Sequence, residues 1–301
     1  MSQSSPDALP EVPAIEFRNV SIEFDAKPVL EDISFALQSG EMIAVTGAAG
    51  SGKSVLLHLA IALLKPDSGE ILIQGQRISD LTETELLATR SEVMGLAFQE
   101  EALFTAMTVY ENAAYRLREH GWPDDRVDVA VGEILRFVGL GDDAYKMPEE
   151  LSVGMRRRLE AARALAGWPT IMLFDEPTGG LDPVNNRQML DLIIRARDVH
   201  AISSLYVTKE LHEIPYLGSH RARVVAGGVE VKEADELTRP EFRVLVLDEG
   251  GLAFLGTLSE FQATKIPAVV RLVSPESSSP IASDWNPNPW KNRGSGHRSI
   301  S

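Results

Sequence analysis

From Ile15 to Phe24 apolar and polar side chains alternate with a few lapses, and this period of two predicts a β-strand. An Asp25–Pro28 turn separates it from a second predicted strand, Val29–Leu37. Ser39-Gly40 turns the chain into Met42–Thr46, a short apolar run of strand length. Val55 to Leu64 is apolar nearly all round and has neither Gly nor Pro, so it predicts a buried helix. Glu70–Ile73 is a further predicted strand, turned by Gln74-Gly75. Thr82–Ser91 is predicted helical, with Thr82 and Glu85 spaced as a capping box. Val93–Phe98 predicts a buried strand that ends at Gln99.

The texture changes between Thr108 and Ala166, where strand signals give way to helical periodicity over Val109–Glu119, Arg126–Val138 and Val153–Ala166. Strands return at Ile171–Phe174 and Ala201–Val207, with a predicted helix, Asn185–Val199, between them. Val224–Val231, Phe242–Leu247 and Leu252–Gly256 complete the strand candidates. Antiparallel strands come first, then strands that alternate with helices. That order predicts an α/β core with an antiparallel β layer at one side and an inserted helical subdomain at about 100–167. Residues 1–13 are Ser/Pro-rich and predicted to be disordered, as is the Ser/Pro-rich tail 274–301, which carries Trp285 and Trp290. Residues 14–273 form the predicted folded domain.

Composition narrows the function. The 301 residues are 44% hydrophobic, enough for a sizeable core, and include no cysteine, which excludes disulfides and thiolate metal sites. A net charge of −15 argues against nucleic acid as a partner. The N-terminus lacks the basic and apolar regions of a signal peptide, and no apolar run is long enough to predict a transmembrane helix. Any membrane role is expected to come through a partner.

The candidate chemistry begins where the Met42–Thr46 strand ends. Gly47, Ala48, Ala49, Gly50, Ser51, Gly52, Lys53 and Ser54 fit the phosphate-binding pattern G-x-x-x-x-G-K-[ST] between a strand and a helix. Glycines let backbone N–H groups close around phosphate oxygens, and the following helix points its positive end at the same anion. Lys53 is expected to reach the β- and γ-phosphates, and the Ser54 hydroxyl to ligate Mg²⁺. Such a loop needs a Mg²⁺-positioning acid at the end of a second buried strand. Asp175, after Ile171–Phe174, supplies it, and Glu176 places a second carboxylate where it could deprotonate an attacking water.

With these motifs the chain resembles the nucleotide-binding subunit of an ATP-binding cassette (ABC) transporter, over roughly Ile15–Val207 and more weakly to about Val270. The resemblance implies the P-loop NTPase fold of that family and roles for further residues. Phe24 stands as the adenine-stacking aromatic, Gln99 as the glutamine that binds the metal and couples it to the permease, and Leu151–Met155 as the signature with Ser152 and Gly154. Gly180–Pro183 stands as the D-loop with Asp182. It implies ATP and Mg²⁺ as ligands and Glu176 as catalytic base. It further implies a head-to-tail dimer, homomeric or heteromeric, and a permease, on the cytoplasmic face of the inner membrane. Of the basic cluster Arg156–Arg158 at the start of the signature helix, at least two are expected to be an ordinary helix face.

Two positions depart from the family pattern. Val153 replaces the first signature glycine, and Lys209 occupies the slot where the family has a histidine against the γ-phosphate. Lysine can contact phosphate as a point charge but cannot copy the donor–acceptor pair of a neutral imidazole. His212 and His220 lie nearby in sequence. The block Phe98–Phe104 with Thr108–His120 resembles Mla/Mce-type lipid-transporter ATPases, which implies a lipid-like substrate and an Mce-type lipid-binding partner. One alternative is a regulatory or structural cassette with weak hydrolysis because of Lys209. The other is an ABC protein of translation or DNA repair, against which stand the single cassette and the acidic charge.

Overall fold

The computed structural model describes residues 12–97, 103–226, 228–235 and 241–273. Gln99, Trp285, Trp290 and both predicted disordered ends, apart from positions 12 and 13, lie outside the described residues. Two sheets share the load. The antiparallel one orders β2 (Lys27–Leu37), β1 (Ile15–Phe24), β4 (Ser68–Ile73) and β5 (Gln76–Arg77). The second orders β12 (Gly251–Thr257), β11 (Phe242–Asp248), β3 (Met42–Gly47), β8 (Ser203–Val207), β7 (Ile171–Asp175) and β6 (Met94–Ala97). It is parallel throughout except at its β12 edge.

Both faces of the parallel sheet are covered, which is why its strands read as continuous apolar runs. Ile43, Val45, Ile171 and Leu173 point into a core shared with the antiparallel sheet and with α1 (Lys53–Ala60). Met42, Ala44, Met172 and Phe174, one step along each strand, point into the opposite core. There they meet α3 (Val109–Glu119), α4 (Asp124–Phe137), α5 (Val153–Leu165) and α6 (Pro183–His200). The α/β core, the antiparallel layer and the inserted helices are those the pattern predicts. Helix α2 (Glu83–Glu92) starts on its predicted capping box, with Thr82 Oγ1 accepting from Glu85 N and Glu85 accepting from Thr82 N.

Several elements differ from expectation. The P-loop helix is predicted to Leu64 but ends at Ala60, because Ala62 takes a left-handed conformation (φ 57°) and Leu63 and Leu64 N–H both donate to His58 O. No glycine marks that turn, so the apolar run conceals it. Val224–Val231 is not one strand but a hairpin, β9 (His220–Val225) with β10 (Gly228–Glu233), in which Val229 faces Val224. The Gly227-Gly228 pair is the sequence signal for it. It packs on α6, where Arg197 donates to Leu217 O and His220 O. Helices α7 (Glu213–Ser219), α8 (Leu258–Ala263) and α9 (Pro267–Val273) are too short for periodicity to reveal.

One side chain joins the helical region to the sheet. Arg116 on α3 donates to Ala164 O on α5 (2.8 Å), to Ser91 O on α2 (2.6 Å) and to Met94 O on β6 (2.8 Å). Burial lowers its pKa to about 10, so the guanidinium still holds its charge at neutral pH. Arg116→Met leaves three carbonyls without that donor and is expected to cost about 2–4 kcal/mol. Calorimetry should record a melting temperature lower by roughly 5–15 °C.

Candidate active site

Strand order builds the site. β3, β8 and β7 lie side by side and parallel, so their C-terminal ends place Gly47, Thr208 and Glu176 at one edge of the sheet. Thr208 N–H donates to Val45 O (3.1 Å) and Glu176 N–H to Val207 O (3.0 Å), which carries the ladder one step past the strands.

The loop from Gly47 to Lys53 is held closed by its own lysine. Lys53 Nζ donates to Gly47 O (2.9 Å) and Ala48 O (2.8 Å). Only glycine fits at 47, where a Cβ would stand 2.2 Å from Leu247 O. Gly52 precedes α1 as an N-cap without a side-chain hydrogen bond, leaving the first helical N–H groups to an anion. The hydroxyls of Thr46 and Ser51 are buried without a hydrogen-bond partner. Burial lowers the Lys53 pKa, opposed by the charges of Glu176 and Asp175.

Asp175 is hydrogen-bonded to the Ser54 hydroxyl, and its pKa is raised by burial and by the neighbouring Glu176. Ser54 and Asp175 are hard oxygen donors, the kind Mg²⁺ takes, and one carboxylate plus one hydroxyl fits a metal completed by phosphate oxygens and water. No cluster of three or more His, Cys, Asp or Glu ligands exists among the described residues. Glu176 sits just past β7 with φ 44°, a left-handed conformation uncommon for a side chain of its kind. Lys209 Nζ lies 2.9 Å from Glu176 Oε2, and that contact raises the lysine's pKa. Its side chain is 57% exposed but turned to the carboxylate. His212 instead sits 3.8 Å from Glu210, and His220 lies against Tyr216 and Ser219, so neither histidine replaces Lys209.

The remaining predicted residues are dispersed. Phe24 is exposed at the end of β1, in a hairpin whose return strand passes Gly52 at Val29 and Leu30. Ser152 caps α5, accepting from Met155 N (3.3 Å), and Val153 beside it is exposed. A Cβ on Gly154 would stand 2.0 Å from Asn185 Oδ1 in the first turn of α6, so α5 and α6 meet there only through glycine. Of the Arg156–Arg158 cluster, Arg156 bonds Leu151 O, Arg157 bonds Glu160 on the same helix and Arg158 bonds Gln188 on α6. Asp182 spends its carboxylate as the N-cap of α6, accepting from Val184 N (2.9 Å) and Asn185 N (3.1 Å).

Comparison with known proteins agrees with this geometry. The family described as "ABC transporter" matches residues 30–179. The methionine import ATP-binding protein MetN of Leifsonia xyli is 37% identical over 218 residues, 71% of this chain and 64% of that one. MetN 2 of Bacillus cereus is 35% identical over 234 residues, 75% of this chain and 68% of that one. The chain belongs to the ABC transporter family. It spans about two thirds of the length of these relatives, 64% and 68%. Among solved structures, the dimeric bacterial ABC transporter cassette MJ0796 superposes with a TM-score of 0.66 at 26% identity, covering 81% of this chain and 98% of that one.

The ABC motifs do not mark every residue that shapes this site. Glu213 is fully buried and accepts from Tyr206, Thr208 and Asn186. Its only sequence signal is a lone carboxylate opening the otherwise apolar run Glu213–Gly218.

Proposed function

We propose that the chain is the ATP-binding and ATP-hydrolysing subunit of an ABC transporter, working as a dimer with a separate permease on the cytoplasmic face of the inner membrane. The observation that carries this reading is the convergence of Lys53, Asp175, Glu176 and Lys209 at the ends of β3, β7 and β8. Two cations and two carboxylates stand ready around one loop shaped for phosphate. On binding, Lys53 exchanges the carbonyls of Gly47 and Ala48 for β- and γ-phosphate oxygens. Ser54 and Asp175 are the residues that would hold Mg²⁺, which would supply positive charge to the phosphates. Glu176 accepts the proton of the attacking water. Ser152 and the α5 N-terminus serve the γ-phosphate bound to a second cassette. The dimeric state of MJ0796 supports that arrangement. Among the described residues no helix is long and apolar enough to cross a membrane, which supports a separate permease.

Two substrate readings rest on different observations. Similarity to relatives named for methionine import supports a small amino acid. The sequence block at 98–120 alone supports a lipid or other hydrophobic substrate handled with an Mce-type partner. With the permease reconstituted in vesicles, methionine or phospholipid that stimulates hydrolysis selects between them. No permease-dependent change in ATP turnover would defeat the transport reading.

Lys209 sets the surroundings of Glu176. Its ammonium holds one of the two Glu176 oxygens that the water needs. Lys209→His removes that full charge and is expected to raise ATP turnover several-fold. Lys209→Ala also removes a γ-phosphate contact and is expected to weaken ATP-dependent dimerisation. Phosphate release and gel filtration in ATP separate the two effects, and three forms that behave alike would remove Lys209 from the site.

A further inference from the structure

Behind the Lys209 turn lies a carboxylate that none of the motifs includes. Glu213 opens α7, is 0% exposed, and faces three donors. Tyr206 OH and the Thr208 hydroxyl both donate to its Oε2 at 2.7 Å, and Asn186 Nδ2 donates to its Oε1 at 2.8 Å. Burial and the adjacent Glu213 hold the Tyr206 phenol protonated, so it is always a donor here. The Thr208 hydroxyl also accepts from Glu210 N–H (2.9 Å), so both its roles are fixed. A four-residue segment, 207–210, is thereby pinned on one side to β3 and Glu176 and on the other to Glu213. Asn186 belongs to the first turn of α6, whose cap is Asp182.

We propose that Glu213 is a positioning residue for ATP hydrolysis: its two oxygens tie the Thr208–Lys209 turn to the first turn of α6 and so set where the Lys209 ammonium stands. A buried carboxylate without a cation beside it is a costly way to fill a core, and three converging donors are the return on that cost. What the site needs is the acceptor geometry and not the charge. Asn186 Oδ1 is buried without a partner. If the Asn186 amide turns over, that oxygen can accept from the amide of Glu213→Gln, while the new carbonyl still accepts from Tyr206 and Thr208. The role rests on the hydrolase reading of Lys53, Glu176 and Lys209.

Steady-state hydrolysis of Mg·ATP by the full chain tests it, with melting temperature and binding of a fluorescent ATP analogue as controls. Without that tie the Lys209 ammonium is no longer held where it can pass from Glu176 to the γ-phosphate, so Glu213→Ala is expected to lower kcat by roughly tenfold or more with KM changed less than about threefold. Glu213→Gln should stay within about threefold of the unmodified chain. Thr208→Val, which keeps the side-chain shape, should lower kcat as Glu213→Ala does, and carries the test if that variant does not fold. In a Lys209→Ala background Thr208→Val should change kcat less than about twofold, because its effect passes through Lys209. Equal losses in the Gln and Ala variants, an unchanged kcat in Thr208→Val, or a full further loss in the Lys209→Ala background would each overturn the proposal. Failure of the underlying reading looks different: Glu176→Gln would then keep its turnover. An inactive Glu176→Gln beside a fully active Glu213→Ala would reject the positioning role alone.

Discussion

Glu176→Gln is expected to lower ATP turnover by roughly 10²–10⁴-fold, the span that removal of a general base produces, while leaving nucleotide affinity nearly unchanged. The amide keeps the size of the side chain and an oxygen for Lys209, but it cannot take a proton from water. Glu176 is 15% exposed and its partner Lys209 more than half, so the ion pair contributes little to stability, about 0–1 kcal/mol. Folding should therefore survive, and the variant should accumulate as an ATP-bound dimer. The left-handed backbone at Glu176, φ 44°, is common to both side chains and cancels from the comparison. Phosphate release, analogue binding and gel filtration in ATP measure the three consequences. A matching loss of affinity in the variant would take Glu176 out of the role of base.

Lys53→Ala should do the opposite and remove binding. Lys53 bonds two carbonyls, Gly47 O and Ala48 O. On the proposed reading those bonds are exchanged for charge-assisted ones to phosphate oxygens, each worth about 1.5–3 kcal/mol. Alanine forfeits that gain and leaves Asp175 and Glu176 without the nearby positive charge that opposes theirs. An ATP affinity lower by roughly 10- to 150-fold is expected from one such bond, with turnover falling in step at limiting ATP. Titration of a fluorescent ATP analogue gives the number directly. Together the two variants separate the group that holds the phosphates from the group that handles water.

The pair of Lys209 with Glu176 gives the departure from the family pattern a physical meaning. A histidine in that slot would be neutral for much of its time near pH 7, and would compete weakly for the carboxylate. Lysine stays charged, and its hold on Oε2 raises its own pKa further. Binding of ATP offers the same ammonium a more strongly charged partner, the γ-phosphate.

Local spacing carried much of this protein. The strand–loop–helix from Met42 to Ala60, the Asp175-Glu176 pair and the Thr82–Glu85 capping box depend on residues within one or two turns of each other. Their chemistry is set by covalent separation, and a sequence displays covalent separation directly. The alternating strand Ile15–Phe24 and the amphipathic helix Val109–Glu119 were legible for the same reason. The tertiary structure decided what faces what. The sheet order β3-β8-β7 brings Gly47, Thr208 and Glu176 to one edge, and no periodicity along the chain encodes an order of strands. That order turns Lys209 from a departure in a motif into the ion partner of Glu176. It also makes Glu213, a charge that sequence alone would place in solvent, the buried acceptor beneath the turn, because three donors from α6, β8 and the turn after it converge there to replace water.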